Sequence, residues 1–439
     1  GDRYSDDPLV LDAADRALRA AASGPRRIAV MVNRVATARA IWKQLRAETR
    51  SEDSPIEADI VLLTGRMRPY DRARIVRRRE NLLAAKEDQE ALERPVILIT
   101  TQCLEVGADF SFDVLITECA SLDALRQRFG RLDRLGVAER TEAAILIRPG
   151  QARTPQQIEK LEEAGRADDP IYGNALAATW NWLLEHAEAD EAGARWIDMG
   201  IEGLESHFPT GAEARRHFLG RLSAPAPKAP AMLPAHLDLW VQTSPRPRPD
   251  PDITCFLHGR DRGEPEVTVV IRSDLLPVTE FDDEHSRHPW IQAISLLPPT
   301  TPEAFSVPLR LVRQWIAAGE ADAGALTDVE GTPIGGDDPE LAGRRRQVVL
   351  WRGRDRSHLT SNPSAVRPGD IVIIPGLEAL PEAFGDAVQD EEEHPALDIA
   401  EAAFQQARGR AILRVHARTL GHWRDHPRVR DLLDWASKP

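Results

Sequence analysis

The sequence predicts an α/β protein: a parallel sheet with helices on both faces, followed by a helical connector and a smaller α+β C-terminal domain. Three patterns carry this. RIAVMVNRV (27–35), ADIVLLTGR (58–66), PVILITTQ (95–102), FDVLITECA (112–120) and EAAILIRPG (142–150) are largely apolar runs, as strands are when both faces of their sheet are covered. Segments with helical spacing separate them, which is the βαβ arrangement of a parallel sheet. Beyond residue 252 the strand signals shorten and helices interrupt them irregularly.

The elements follow in order. PLVLDAADRALRAA, starting at Pro8, has helical spacing, and TARAIWKQLRAE (37–48) reads as a helix with Thr37 as its N-cap. Residues 69–93 read as one long helix with proline at its start, where the missing N–H is not needed. SLDALRQRFGRLDRLG (121–136) reads as an arginine-rich helix stopped by Gly136. Residues 154–220 read as all helix, and LSAPAPKAPAMLPAHLDLWVQTSPRPRPDPD (222–252) as a stiff, extended linker. Strand signals then lie in ITCFLHG (253–259), EVTVVIRSDLL (266–276), RQVVLWRGR (346–354) and PGDIVIIPG (368–376), with helices at 307–319 and 396–410. The expected domains are 1–150, 151–221, 222–252 and 253–439.

With 439 residues, 42% hydrophobic and 29% charged, the chain has the make-up of a globular protein with sizeable cores. A formal net charge of -14 excludes a wholesale basic coat, so any nucleic-acid contact must use local patches. Cys103, Cys119 and Cys255 lack C-x-x-C spacing, and neither a zinc site nor a disulfide framework is expected. No run approaches the length of a membrane span. No metal ligands and no membrane partner are expected, and a cytoplasmic setting is.

Ligands of an open parallel sheet bind at the carboxyl ends of its strands. Those ends carry NRVAT with Asn33, TGRMRPYD with Gly65 and Arg66, and TTQCLEVGAD with Thr100, Thr101 and Gln102. Each offers groups that can hold phosphate. In the last loop Thr101, Glu105, Gly107 and Asp109 form a T-x-x-x-E-x-G-x-D string, whose glycine and carboxylate suit a sugar hydroxyl. Within 121–136, Arg126, Arg128, Arg131 and Arg134 recur at intervals of two and three, which no single helix face can hold. Residue types alone leave two readings open here: guanidinium groups aimed at phosphate, or structural ion pairs with Asp133 as a partner. GRRRQVVLWRGRDR (343–356) is the strongest basic patch elsewhere. Its Trp351 either packs on a sheet or stacks a base of a single strand.

QRFGRLDR (127–134) resembles the arginine-finger motif of superfamily 2 helicases, Q/H-R-x-G-R-x-x-R. TTQCLEVGAD resembles the motif by which those enzymes couple nucleotide to nucleic acid, and VMVNRVATA the strand and loop that open their second RecA-like domain. A closer resemblance is to the helicase–nuclease of type I CRISPR systems, carried by T-Q-C-L-E-V-G-A-D and by T-G-R followed by Y-D-R. PAHLDLWVQTSPRPRPDPDITCFLHG and RPGDIVIIPG resemble its subtype I-G (formerly I-U) form.

The resemblance implies a RecA-like fold for 1–150 and the carboxyl half of an ATP-dependent single-strand DNA translocase. It implies Arg131 and Arg134 as catalytic fingers at the γ-phosphate. Gly107, Asp109, Gln127 and Arg128 are then at the ATP, with Asp109 on the ribose. Asn33, Gly65, Arg66, Thr100, Thr101 and Gln102 lie along the nucleic acid. The implied partners are single-stranded DNA, a first RecA-like domain, a His-Asp nuclease domain outside this span and a CRISPR RNA-guided surveillance complex. ATP with Mg²⁺ is expected mainly on that first domain, because this chain has no G-K dipeptide for a phosphate loop. FDDEHSRH (281–288) and DEEEH (390–394) read as solvated loops, and no H-D dipeptide occurs. His422 and His426 read as the edge of a nuclease domain or a bare helix start. The chain alone is expected to be inactive. Two other readings stay open on the sequence: a superfamily 2 helicase of DNA or RNA outside CRISPR, and a helicase-derived interaction module without activity.

Overall fold

The computed structural model describes residues 6–50, 56–86, 91–104, 109–137, 141–191, 193–225, 230–241, 256, 265–275, 288–317, 346–376 and 398–414. Strands β1 (Arg27–Met31), β2 (Asp59–Leu63), β3 (Val96–Thr100), β4 (Val114–Glu118) and β5 (Glu142–Leu146) form one parallel sheet in the order β2-β3-β1-β4-β5. Ile28 of β1 stands beside Ile97 of β3 and Val114 of β4. Because side chains alternate across a strand, the apolar runs divide into two cores. Ile28, Val30, Ile97 and Ile99 pack with helices α1 (Pro8–Ala22) and α2 (Val35–Thr49). Ala29, Met31, Val61, Leu98 and Leu115 face the other way, toward Leu83 of α3 (Pro69–Leu83), Phe110 and Phe112.

Three helix limits differ from expectation, each for a local reason. Helix α2 starts at Val35 behind an extended Arg34. Thr37 is therefore inside the helix rather than its N-cap, and its hydroxyl accepts from Arg148 Nη2 at 2.9 Å. Helix α3 ends at Leu83 rather than continuing to 93, because Ala84 turns extended and pairs with Phe110. Helix α4 (Leu122–Phe129) ends before Gly130 rather than at Gly136. The chain turns there so that Leu132 can pair with Phe112. Asp133 adopts φ 44 in this turn, a left-handed conformation that aspartate tolerates better than most residues.

Helices α5 (Pro155–Glu163), α6 (Ala175–His186), α7 (Ile201–Ser206) and α8 (Ala212–Leu222) follow. Tyr172, Leu176, Trp182, Leu204, Phe208 and Leu222 from this region close over Leu122 and Leu125 of α4. The region is not all helix: β6 (Glu188–Ala189) and β7 (Arg195–Trp196) form a small hairpin. Nor is 222–252 wholly extended, since α9 (Pro234–Trp240) lies within it. The expected strand at 253–259 falls, apart from Phe256, outside the described residues, as do 281–287, 390–394, His422 and His426.

A second, mixed sheet has the order β11-β10-β12-β8-β9, built from β8 (Glu266–Arg272), β9 (Phe305–Pro308), β10 (Val348–Trp351), β11 (His358–Thr360) and β12 (Ile371–Pro375). Only the β8–β12 pair among these is parallel. The helices Leu309–Ala317 and Pro289–Leu296 cover its two faces. At the end of β8, Arg414 bonds Glu401 through two nitrogens and Asp398 at 2.7 Å, and pairs with Asp274 at 3.0 Å. Asp398 also accepts from Ser273 N at 2.7 Å, and Arg272 pairs with Glu303 at 3.1 Å.

Burial alone would raise the Asp398 pKa, but the Arg414 bonds and charge, with Arg272 and Ser273, hold it below the ordinary value. A depressed carboxylate gives stability that is present above its unfolded pKa and lost as pH falls through its folded one. Burial raises Glu303 against the pull of Arg272, so its contribution is present below its unfolded pKa and lost as pH rises through the raised folded value. Acidification to the ordinary carboxylate range should therefore not weaken this cluster, and loss should begin below it. Asp398→Asn should lower stability by no more than the ~3–5 kcal/mol of a broken buried pair and blunt the acid loss, as urea titrations across pH will measure.

Candidate functional site

The carboxyl ends of β1, β2 and β3 bring Asn33, Gly65, Arg66, Thr100, Thr101 and Gln102 to one edge of the parallel sheet. They do not all reach the surface. Gly65 is exposed and Arg66 half-buried, while Asn33, Thr100 and Thr101 are buried. The Thr100 hydroxyl turns inward onto Thr101 O at 3.2 Å. Gln102 donates to Asn33 O at 2.9 Å and to the Tyr172 hydroxyl at 3.3 Å. Behind this loop Arg68 is buried against Asp71 at 2.5 Å, which fixes the backbone that presents Arg66. Of this set, Gly65 is exposed, and Arg66 and Gln102 are half-buried.

Arg128 stands elsewhere than the nucleotide contact expected of it. It is 1% exposed, and its guanidinium faces inward. Nη1 donates to Thr117 Oγ1 and Glu118 O, and Nη2 to Asn33 Oδ1 and the Tyr172 hydroxyl, all at 2.9 Å. Asn33 completes the network by donating from Nδ2 to Cys119 O at 2.8 Å and from its backbone N–H to Glu118 Oε2 at 2.8 Å. Glu118 in turn accepts from Arg148, which also reaches Asp7 at 3.1 Å. Burial pushes the neighbouring Cys119 thiol up to about 12, so it stays protonated.

Sequence reasoning missed Tyr172, Glu118 and Arg148. Glu118 and Arg148 had a signal, since each is a charge at the end of an apolar run, and Glu118 pairs in register with Leu146 just before Arg148. Tyr172 had none.

Asp109, Arg131 and Arg134 form a separate cluster. Helix α4 runs back along the sheet, so the turn after it meets the segment that precedes β4: Phe112 N donates to Arg131 O, and Asp133 N to Phe112 O. Arg131 and Arg134 therefore lie at the end of the sheet opposite the strand-end loops. Arg134 Nε pairs with Asp109 Oδ1 at 2.6 Å, with side chains 41% and 70% exposed. An exposed pair of this kind is worth about 0–1 kcal/mol. Burial, then the charge of Arg134, lowers the Arg131 pKa, and Asp109 opposes them. Gln127 is exposed on α4, and Gly107 lies outside the described residues. Among the described residues no group of three or more His, Cys, Asp or Glu side chains could hold a metal ion, and no helix is long and apolar enough to cross a membrane.

Arg128→Ala should cost several kcal/mol, up to the ~3–5 of a broken buried charge network, because it strands Asn33 Oδ1. Tyr172→Phe should cost about 1–2 kcal/mol and Arg134→Ala under about 1. Urea denaturation of the three variants will rank them.

Residues 25–136 match the family described as CRISPR-associated nuclease/helicase Cas3, C-terminal. The CRISPR-associated helicase Cas3 of Thermoproteus tenax is 33% identical over 152 residues, covering 34% of this chain and 23% of that protein. The CRISPR-associated endonuclease/helicase Cas3 of Escherichia coli is 28% identical over 226 residues, 46% of this chain and 23% of that protein. The chain's match spans about a quarter of the length of these relatives. The crystal structure of T. fusca Cas3 with AMPPNP aligns over 84% of this chain and 38% of that one, at 17% identity and a TM-score of 0.41. Residues 25–136 are thus similar to the C-terminal region of Cas3 helicases.

Proposed function

We propose that the chain is the second RecA-like half of an ATP-dependent single-strand DNA translocase in type I CRISPR interference, of the subtype I-G kind. The observation that carries this reading is the two-ended sheet: a loop edge that presents Gly65 and Arg66, and an arginine turn at the other end with Asp109, Arg131 and Arg134. Sequence-independent phosphate contacts by Arg66 and neighbouring backbone hold the strand. Asp109 and the two arginines fit a nucleotide, as a hydroxyl acceptor beside two cations. ATP, when bound, supplies the phosphoryl group whose transfer drives movement. Arg131 and Arg134 place positive charge toward it across a cleft with the first RecA-like domain, to which Mg²⁺ and the phosphate loop are assigned. Arg128, Asn33, Thr100, Thr101 and Gln102 act as the frame between the two ends rather than as open contacts. A nuclease domain and a CRISPR RNA-guided complex complete the set of partners, and this chain alone turns over no ATP.

The test joins the chain to its first RecA-like domain. Arg131→Ala and Arg134→Ala should each lower DNA-stimulated hydrolysis by about 10³–10⁵ while single-strand affinity holds. Lysine should not rescue, since it lacks the planar fork of guanidinium. Arg66→Ala should weaken DNA binding and reduce its salt slope by about one contact. Wild-type hydrolysis in both finger variants would overturn the proposal.

A further inference from the structure

Trp351 ends β10 half-buried, beside the helix Pro289–Leu296. It packs against the cluster of Trp290, Ile291 and Ile294, and it also lines a cleft of about 460 Å³ with Leu296, Pro298, Gln292, Ser295 and Arg354. That size lies within the range of small-ligand sites, about 300–1,000 Å³. Leu296 is 84% exposed there, an apolar side chain left at the rim. Gly353 follows Trp351 at φ 85, a conformation that glycine allows without strain, and it separates the two arginines that flank it. Arg352 turns to Asp370 at 2.8 Å. Arg354 is exposed at the cleft and has no ion-pair partner among the described residues. Arg346, from the same basic stretch, is held on Trp315, donating to its carbonyl at 2.8 Å with the guanidinium 4.9 Å from the ring centre.

The cleft therefore combines an aromatic wall, an apolar rim, an amide, a hydroxyl that donates to Ile291 O and can still accept, and a cation without an ion pair among the described residues, in a chain whose overall charge is -14. An apolar peptide would leave the cation unmatched, and a duplex offers no open base faces. A nucleotide of a single strand matches all five, because bases stack on aromatic rings whatever their sequence while cations hold the backbone. We propose that the Trp351–Arg354 cleft is a second seat for single-stranded DNA, with one base on Trp351 and its phosphate at Arg354. This rests on the reading of the chain as a single-strand translocase and adds a grip outside the parallel sheet.

The experiment titrates the full chain with fluorescein-labelled oligothymidylate and maps photo-adducts of its 5-iodouracil analogue by mass spectrometry. Trp351→Ala should weaken binding about 5- to 150-fold, Trp351→Phe much less, and Arg354→Ala should flatten the salt dependence by about one contact. Adducts should fall on Trp351. Should Trp351→Ala fail to fold, the phenylalanine and Arg354 variants and the adduct map decide. Wild-type binding by Trp351→Ala and Arg354→Ala, with Arg66→Ala impaired and adducts confined to the loops of the parallel sheet, overturns the cleft and leaves the translocase reading standing. Protection of Trp351 by an oligoproline peptide and not by oligothymidylate also overturns it. No binding by the wild-type chain overturns both.

Discussion

A buried guanidinium organises the first sheet. A charge taken out of water is costly unless its hydrogen bonds are met, and Arg128 meets them with Thr117, Glu118, Asn33 and Tyr172. Those partners come from the end of β4, the loop after β1 and the segment between α5 and α6. Each is fixed in place because the charge would otherwise be stranded. Asn33 then passes the constraint to Gln102, whose amide donates to its carbonyl. The loop after β3 is thus held by an arginine that never reaches the surface.

The same element links the two ends of the sheet. Helix α4 has eight residues, about 12 Å at 1.5 Å each, and it carries Arg128 within it and the Arg131–Arg134 turn behind it. A rigid helix pinned by a buried charge ties the two ends together, since close-packed interiors transmit displacement.

Much of this was legible in the sequence. The five apolar runs marked all five parallel strands, and QRFGRLDR marked the arginine turn. What periodicity could not supply was where the α4 helix stops. Leu132 and Leu135 continue a helical stripe, yet Leu132 pairs with Phe112 instead, because a long-range strand contact outweighs local spacing. Burial was equally hidden: Asn33 and Arg128 look like open polar groups in their motifs, and their partners Cys119 and Tyr172 are distant in the chain. The β6–β7 hairpin and α9 were missed because two-residue strands and a helix inside a proline-rich stretch leave no periodic signal.

In the proposed function, the Arg66 loop and the Arg131–Arg134 turn are separate surfaces of one sheet. Modification of arginines by phenylglyoxal, read by mass spectrometry on the chain with and without oligothymidylate, tests it directly. DNA should protect Arg66 while Arg134 reacts as fast as before. Protection of Arg134 with Arg66 left reactive would contradict it.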